Sequence, residues 1–496
     1  MKTDLKGMAE LVAGHIPKRM MIIPLGNWKH VESDLYLGAF KDLLKDITPD
    51  KNHLKFLGHE QGSGGFRSVK SRIKTCILNM LYLLDFSGSR LSDALKAELE
   101  CMRQGFQQRT LTAFYLRPEG IEITKKLYHI AEKFRLAAPM LQCLATLRKE
   151  ATENGRHDEL EELHQKSALW RDWQTAENKA MEYYELMEVQ FAKSVSQKPW
   201  LAEKAFGWAK LVGQDMESFD SPVLYYEKQR LMYAGHHCAK AYRSAIAEME
   251  TLEGYYTKHQ EFAGDTRYAE IAYHKMNCYM HLKDYTAGQN CARACLASFW
   301  IGSSNRLFFM ELYFMFAMQA AEYEKAKKII SDAKAESGYK KLSKVHKQVW
   351  QLHKTYQEYA TGMQSNAKPF DAKIFIGDYK ALTDDKRGHN AAIYIMAWAM
   401  QVRYSKATVT GSREALKKYR ARYLSENQDH RLNIFIKLME TADRLDYDYQ
   451  NVLEQTKSLI KELENIEVEG YAGNFEGVEI IPLERLWNLV MEDMKG

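Results

Sequence analysis

The sequence predicts an all-α protein built from paired helices, and three observations carry that prediction. Proline is scarce, nine in 496 residues, far below the usual share of roughly 5%. Because proline punctuates strands and loops, its rarity favours long helices joined by short turns. Apolar residues recur at spacings of three and four, and few windows alternate with period two. Finally, one helix-turn-helix pattern returns at a fixed offset. A β-sandwich, a barrel and a doubly wound α/β enzyme are disfavoured.

Residues 1–118 read as an irregular helical region. Leu37, Phe40, Leu44 and Ile47 mark one helix face that Pro49 stops. A glycine-rich loop from Gly58 to Gly65 follows, then apolar helices over Val69–Leu84 and Leu91–Tyr115, and Pro118 marks a break.

Residues 119–362 read as a series of helix pairs. Ile123, Leu127, Ile130 and Phe134 line one helix. The next spans Leu136–Thr152, with Pro139 in its first turn, where a missing N–H costs little. Gly155 ends it, and Asp158 is the expected N-cap of a helix of about 37 residues that contains neither proline nor glycine. Leu163, Trp170, Trp173, Ala180, Tyr184, Met187 and Phe191 form a single apolar stripe along it. The clearest pattern starts at Ala269, AEIAYHKMNCYMHLKDYTAGQNCARACL. Asp284-Tyr285 recurs as Glu322-Tyr323, and Gly288 and Cys295 recur as Ala326 and Ala333, all at an offset of 38. A weaker unit lies over Pro222–Leu252, with Ala241 and Ala245 as its small residues, and another over Glu119–Thr152.

These residues resemble the tetratricopeptide (TPR) repeat. Ala272 stands where the family often has tryptophan, Tyr279 at the aromatic slot, and Gly288, Ala292 and Cys295 at the small slots of the second helix. Met276 departs from the usual glycine. The resemblance implies a TPR-like right-handed α-solenoid, in which small residues let paired helices approach to about 8–10 Å. It also implies that Tyr285 and Tyr323 occupy equivalent buried places, and that Ala292 and Ala326 are buried where each pair meets.

Residues 363–496 form a helical carboxy-terminal region, with helices over Ala391–Tyr404, Arg413–Leu424, Arg431–Leu445 and Tyr449–Leu463, and a last one begun by Pro482. The succession DDKRGHN, ALKKYRARYL, NIFIKLM and EIIPLERLW is similar to a group of uncharacterised bacterial helical-repeat proteins, over roughly the last 110 residues. That likeness brings no chemistry with it.

Composition excludes several functions. The net charge is +5 and the pI about 8.5, short of the strongly basic balance of dedicated nucleic-acid domains. Lys417, Lys418, Arg420 and Arg422 interleave with Tyr419 and Tyr423, but on a helix these positions spread around the axis and read as a solvated face. Nucleic acid is therefore disfavoured as a partner. No run of 18 apolar residues exists, so no membrane span is expected. Asp4 and Glu10 interrupt any amino-terminal apolar stretch, which argues against a signal peptide. Seven cysteines without CxxC spacing suggest free thiols and a cytoplasmic setting.

No catalytic motif is found, so the chain reads as a non-catalytic interaction protein without a cofactor. Metal is not expected either. His274, Cys278 and His281, with Cys291 and Cys295, have helical ligand spacing, but the repeat register assigns Cys295 to packing. A phosphate-binding alternative rests on Gly62, Gly64, Gly65, Arg67 and Lys70, where backbone amides would precede a basic helix. The GxxxxGK[ST] order is missing there, and a flexible linker is the favoured account of the loop. The favoured site is the concave groove that the repeat family lines with positions 2, 5, 9, 12 and 13 of each first helix. Carried over, these give Tyr273, Asn277, Met280 and His281, then Glu311, Met315 and Met318, with Glu270, Phe308 and Gln319 completing the set. Methionine and aromatic side chains suit a peptide or protein segment, and a homo-oligomer remains compatible with the same face. The expectation requires that no other part of the chain fill the groove.

Overall fold

The computed structural model describes residues 71, 74–75, 77–191, 198–299, 303–362, 370–379, 389–404, 430–466 and 479–495. Among them every regular element is helical. The glycine-rich loop with Gly62, Gly64, Gly65, Arg67 and Lys70, the helix expected over 37–47 and the basic helix over 413–424 lie outside the described residues. Two compact units are present, residues 1–170 and 171–496, and the divide falls inside the long helix.

In the first unit, α1 (Asp93–Ala113) is capped by Ser92, whose hydroxyl accepts the amide of Leu95. Next come α2 (Arg117–Lys133), with Pro118 in its first turn, and α3 (Ala137–Glu153). The long helix α4 (His157–Phe191) carries Asp158 in its first turn, as a charge favoured there by the helix dipole rather than as the expected cap. Cys101, Leu127 and Cys143 form a small buried core joining α1, α2 and α3.

The second unit holds the remainder of α4 and then α5 (Lys198–Ser218), α6 (Pro222–Cys238), α7 (Tyr242–Lys258), α8 (Asp265–His281), α9 (Tyr285–Ser298), α10 (Ser304–Gln319), α11 (Tyr323–Ala335) and α12 (Lys344–Ala360). Among the described residues, α13 (Ala372–Asp378) is followed by α14 (His389–Tyr404), α15 (His430–Arg444), α16 (Tyr449–Asn465) and α17 (Leu483–Lys495). Successive helices pack on their neighbours, giving a repeat-like succession of pairs. Ala292 and Ala326 are fully buried where the pairs meet. Tyr285 and Tyr323 occupy equivalent places, each half-buried against the core instead of buried outright.

One turn recurs throughout. Helix ends carry a residue in the left-handed region: Tyr115, Arg135 and Gly155 in the first unit, then Lys240, Lys283, Ala321 and Gly362, and the pair Asp446 and Tyr447. In most of these the next amide reaches back to the carbonyl five residues earlier, as Leu136 to Ala131 (2.8 Å), Ala241 to His236 (2.9 Å), Asp284 to Tyr279 (3.0 Å) and Glu322 to Ala317 (2.8 Å). This is the Schellman closure, which satisfies orphan carbonyls at a helix end. A tyrosine opens the following helix at Tyr242, Tyr285, Tyr323 and Tyr449.

The largest core surrounds α10 and α14, which are buried on nearly every side. The last helix closes it. Leu483, Leu486, Trp487, Val490, Met491 and Met494 are all buried, and Trp487 stacks on Trp398 of α14 at 6.2 Å. Arg485 donates to the Gln319 carbonyl (2.9 Å), and Gln319 donates to the Glu479 carbonyl (2.5 Å). Asp493 accepts from Arg403 (2.8 Å) and from Tyr359 (2.6 Å). The carboxy-terminal helix is therefore seated on the ends of α10, α12 and α14.

Candidate functional site

The side chains expected to line the groove are largely covered. Met280, Met315 and Met318 lie in the main core, Asn277 and Glu311 are buried with them, and Tyr273 and His281 are half-buried. Tyr273 packs edge-on to Phe309 (6.0 Å), and His281 stacks in parallel on Tyr242 (4.3 Å, 2°). The physical reason is intramolecular. Helix α10 is apolar on most of its circumference, and such a helix is buried; α9 and α11 flank it, α12 meets it through Phe314 and His353, and α17 is seated over its end.

A polar array instead crosses α4, α6 and α8. Helical spacing places its parts on single faces: Tyr184 and Glu188 on α4, Tyr226, Arg230 and Tyr233 on α6, and Arg267, Glu270 and His274 on α8. The Arg230 guanidinium lies 3.3 Å from the ring centroid of Tyr184 and 4.8 Å from that of Tyr226. Arg267 stacks on Tyr226 at 3.7 Å. Ring and cation thus alternate from α4 to α8, each contact worth about 0.5–2 kcal/mol according to how dry it is.

Carboxylates fix the array. Both Glu227 oxygens accept from Arg230 Nη1 at 3.1 Å. Glu270 Oε1 lies 3.1 Å from Arg230 Nε, while its Oε2 accepts from Tyr226 (2.5 Å) and from Arg267 Nη1 (3.3 Å). Glu188 reaches Arg230 only at 3.7 Å. Burial tends to raise the Glu270 carboxyl, but His274, Arg230 and Tyr226 outweigh it and hold it at about 2. For Glu227 burial wins, pushing it up to about 6 against the pull of Arg230 and Arg267. Burial also raises the phenols of Tyr184 and Tyr226, which stay protonated donors.

The array's two ends face solvent. Arg267 keeps 41% of its side-chain surface exposed and Glu188 62%, against 16% for the central Arg230. Aromatic contacts continue the join of α6 to α8: Tyr233 packs at a tilt on His274 (4.3 Å, 45°), and His237 meets His281 (5.4 Å).

Of these residues the sequence singles out Glu270, Tyr184, His274 and His281, none of them as part of an ionic array. The others were within reach: carrying the register back from Tyr285 to Tyr242 sets Glu227 against Glu270 and Arg230 against Tyr273. The thiols of the repeat pack on backbone, Cys291 toward the Ala272 carbonyl (3.6 Å) and Cys295 toward that of Ala269 (3.9 Å). Among the described residues no three His, Cys, Asp or Glu side chains converge as a metal site requires, and no helix is long and apolar enough to cross a membrane.

Fold and site together define an all-helical protein with a repeat-like succession of helix pairs and an ordered ionic-aromatic array on three of its helices. No family model, curated protein or solved structure matches the chain.

Proposed function

We propose that this is a non-catalytic, TPR-like helical-repeat scaffold, a right-handed solenoid of the cytoplasm, that binds a segment of another protein on its first-helix face. The observation that carries the reading is the array on α4, α6 and α8, rigid at its centre and solvent-facing at both ends. Pre-organised side chains of this kind bind without a large ordering cost. The acid-base groups gathered there, Glu227, Glu270, Arg230 and Tyr226, are engaged with one another, which suits recognition better than proton transfer. Solenoids use such stacked faces for extended partners. The binding face sits amino-terminal to the expected groove, because α17 already occupies the ends of α10 and α12.

The test is capture. Full-length protein, immobilised and exposed to extract of its source cell, should retain at least one protein reproducibly above a blank matrix. If nothing is retained over that blank, the scaffold reading is wrong.

A further inference from the structure

We infer that the array selects a segment carrying an acidic and a basic side chain in fixed order, an extended stretch lying across α4, α6 and α8. This rests on the scaffold reading and specifies its ligand. The central cation is enclosed: Arg230 has two carboxylates at 3.1 Å and a ring against its plane, and only 16% of its side-chain surface is exposed to a partner. Recognition therefore falls to the ends. At the α8 end, Arg267 is held flat on Tyr226 and tethered to Glu270 by a single hydrogen bond of 3.3 Å, with much of its N–H edge turned to solvent. A planar guanidinium fixed in this way matches a carboxylate. At the α4 end, Glu188 is the most exposed acid of the array, and its distance of 3.7 Å from Arg230 leaves its oxygens free to accept a lysine or arginine.

The two anchors have opposite sign and sit two helix steps apart. Their charged heads are linked by Glu188–Arg230 (3.7 Å), Arg230–Glu270 (3.1 Å) and Glu270–Arg267 (3.3 Å), so they lie within about 15 Å, which an extended chain rising about 3.3 Å per residue covers in about four residues. An acidic residue over Arg267 and a basic one over Glu188, about four positions apart, complement the array; the reversed order sets like charges together at both ends.

The probe is a displayed library of random 12-residue peptides, selected on the full-length wild-type protein and measured by fluorescence anisotropy. Selected peptides should share an acid-base pair at that spacing. Arg267→Glu should weaken them about tenfold, Arg267→Lys less, and replacing the peptide's acid with lysine should restore binding to the Arg267→Glu protein. Glu188→Lys, at a site exposed enough to spare the fold, should act the same way on the basic residue. Circular dichroism checks that each variant is folded. Binding within twofold of wild type for both charge reversals, or selected peptides without the paired charges, overturns the proposal while a captured partner keeps the scaffold reading. Loss of capture as well removes both.

Discussion

Gly288 of α9 lies directly against the ring of Phe316 of α10, so close that a Cβ at 288 would sit inside the ring's contact surface. The residue is therefore glycine for closeness of approach, since its backbone needs no special conformation. Gly288→Ala must push apart two helices whose shared core includes Ala292 and Phe316, both fully buried. The expected cost is about 1–3 kcal/mol from overpacking, read as a lower urea midpoint with unchanged slope. Gly254, with open space around it, is the control and should tolerate alanine sterically.

The recurring turns give a prediction of opposite sign. Lys283 and Ala321 adopt φ of 55° and 60°, where a Cβ is strained and glycine is not. Lys283→Gly and Ala321→Gly should each stabilise the chain by about 1 kcal/mol, visible as a raised melting temperature. Gly155→Ala, at φ 67°, should do the reverse by a similar amount. Unchanged melting in all three would mean that these turns relax freely.

These turns also show where sequence reading stopped. Gly155 and Gly362 announce helix ends by residue type, whereas Lys240, Lys283 and Ala321 perform the same conformational task without looking like turn residues. The usable signal was the tyrosine two positions later, visible in Lys283-Asp284-Tyr285 and Ala321-Glu322-Tyr323 and repeated in Lys240-Ala241-Tyr242 and Tyr447-Asp448-Tyr449. Helix spans and the small residues at pair contacts were legible because they depend on local spacing. The burial of Met315 and Met318 was not. It depends on chain that follows much later, such as the contact of Gln319 with Glu479, and local pattern carries no trace of that. The ionic array was half legible: its i, i+3 and i+4 spacings lie in the sequence, but their meeting across three helices requires the fold.

Arg431 offers a third test. It is buried at the start of α15, paired with both oxygens of Glu479 (2.8 and 2.9 Å), and it donates to the carbonyls of Leu463 and Ile466 at the end of α16. Arg431→Ala leaves the Glu479 carboxylate buried without its cation and should cost about 3–5 kcal/mol. Arg431 also pairs with the part-exposed Glu484 (2.5 Å). The double change Arg431→Met with Glu479→Leu removes the two buried charges and should recover much of that loss, measured as chemical denaturation of the three proteins side by side. A double variant no better than the single would show that the carbonyl contacts and the Glu484 pair, not the Glu479 pair, hold this corner together.

The last prediction concerns pH and centres on Glu311, inside the core between α10 and α12. Its carboxyl is buried, 3.8 Å from Nε2 of His353, whose ring stacks on Phe314 at 4.6 Å and meets Trp350 edge-on. Burial pushes this carboxyl up to about 8. A folded-state value above the unfolded one means that folding favours the protonated acid. The contribution is thus fully present below about pH 4.5 and is lost progressively as pH rises through about 8. Glu227 acts in the same direction, but its change is complete soon after about pH 6, so between pH 6 and 8 the Glu311 contribution is read as the difference between wild type and a Glu311 variant. Stability should fall across that interval, and Glu311→Gln, which keeps the shape and removes the titration, should flatten the fall. The measurement is the urea midpoint at pH 6, 7 and 8 for both proteins. Parallel slopes would place the titrating group elsewhere, because only the loss of a proton at residue 311 distinguishes the two chains.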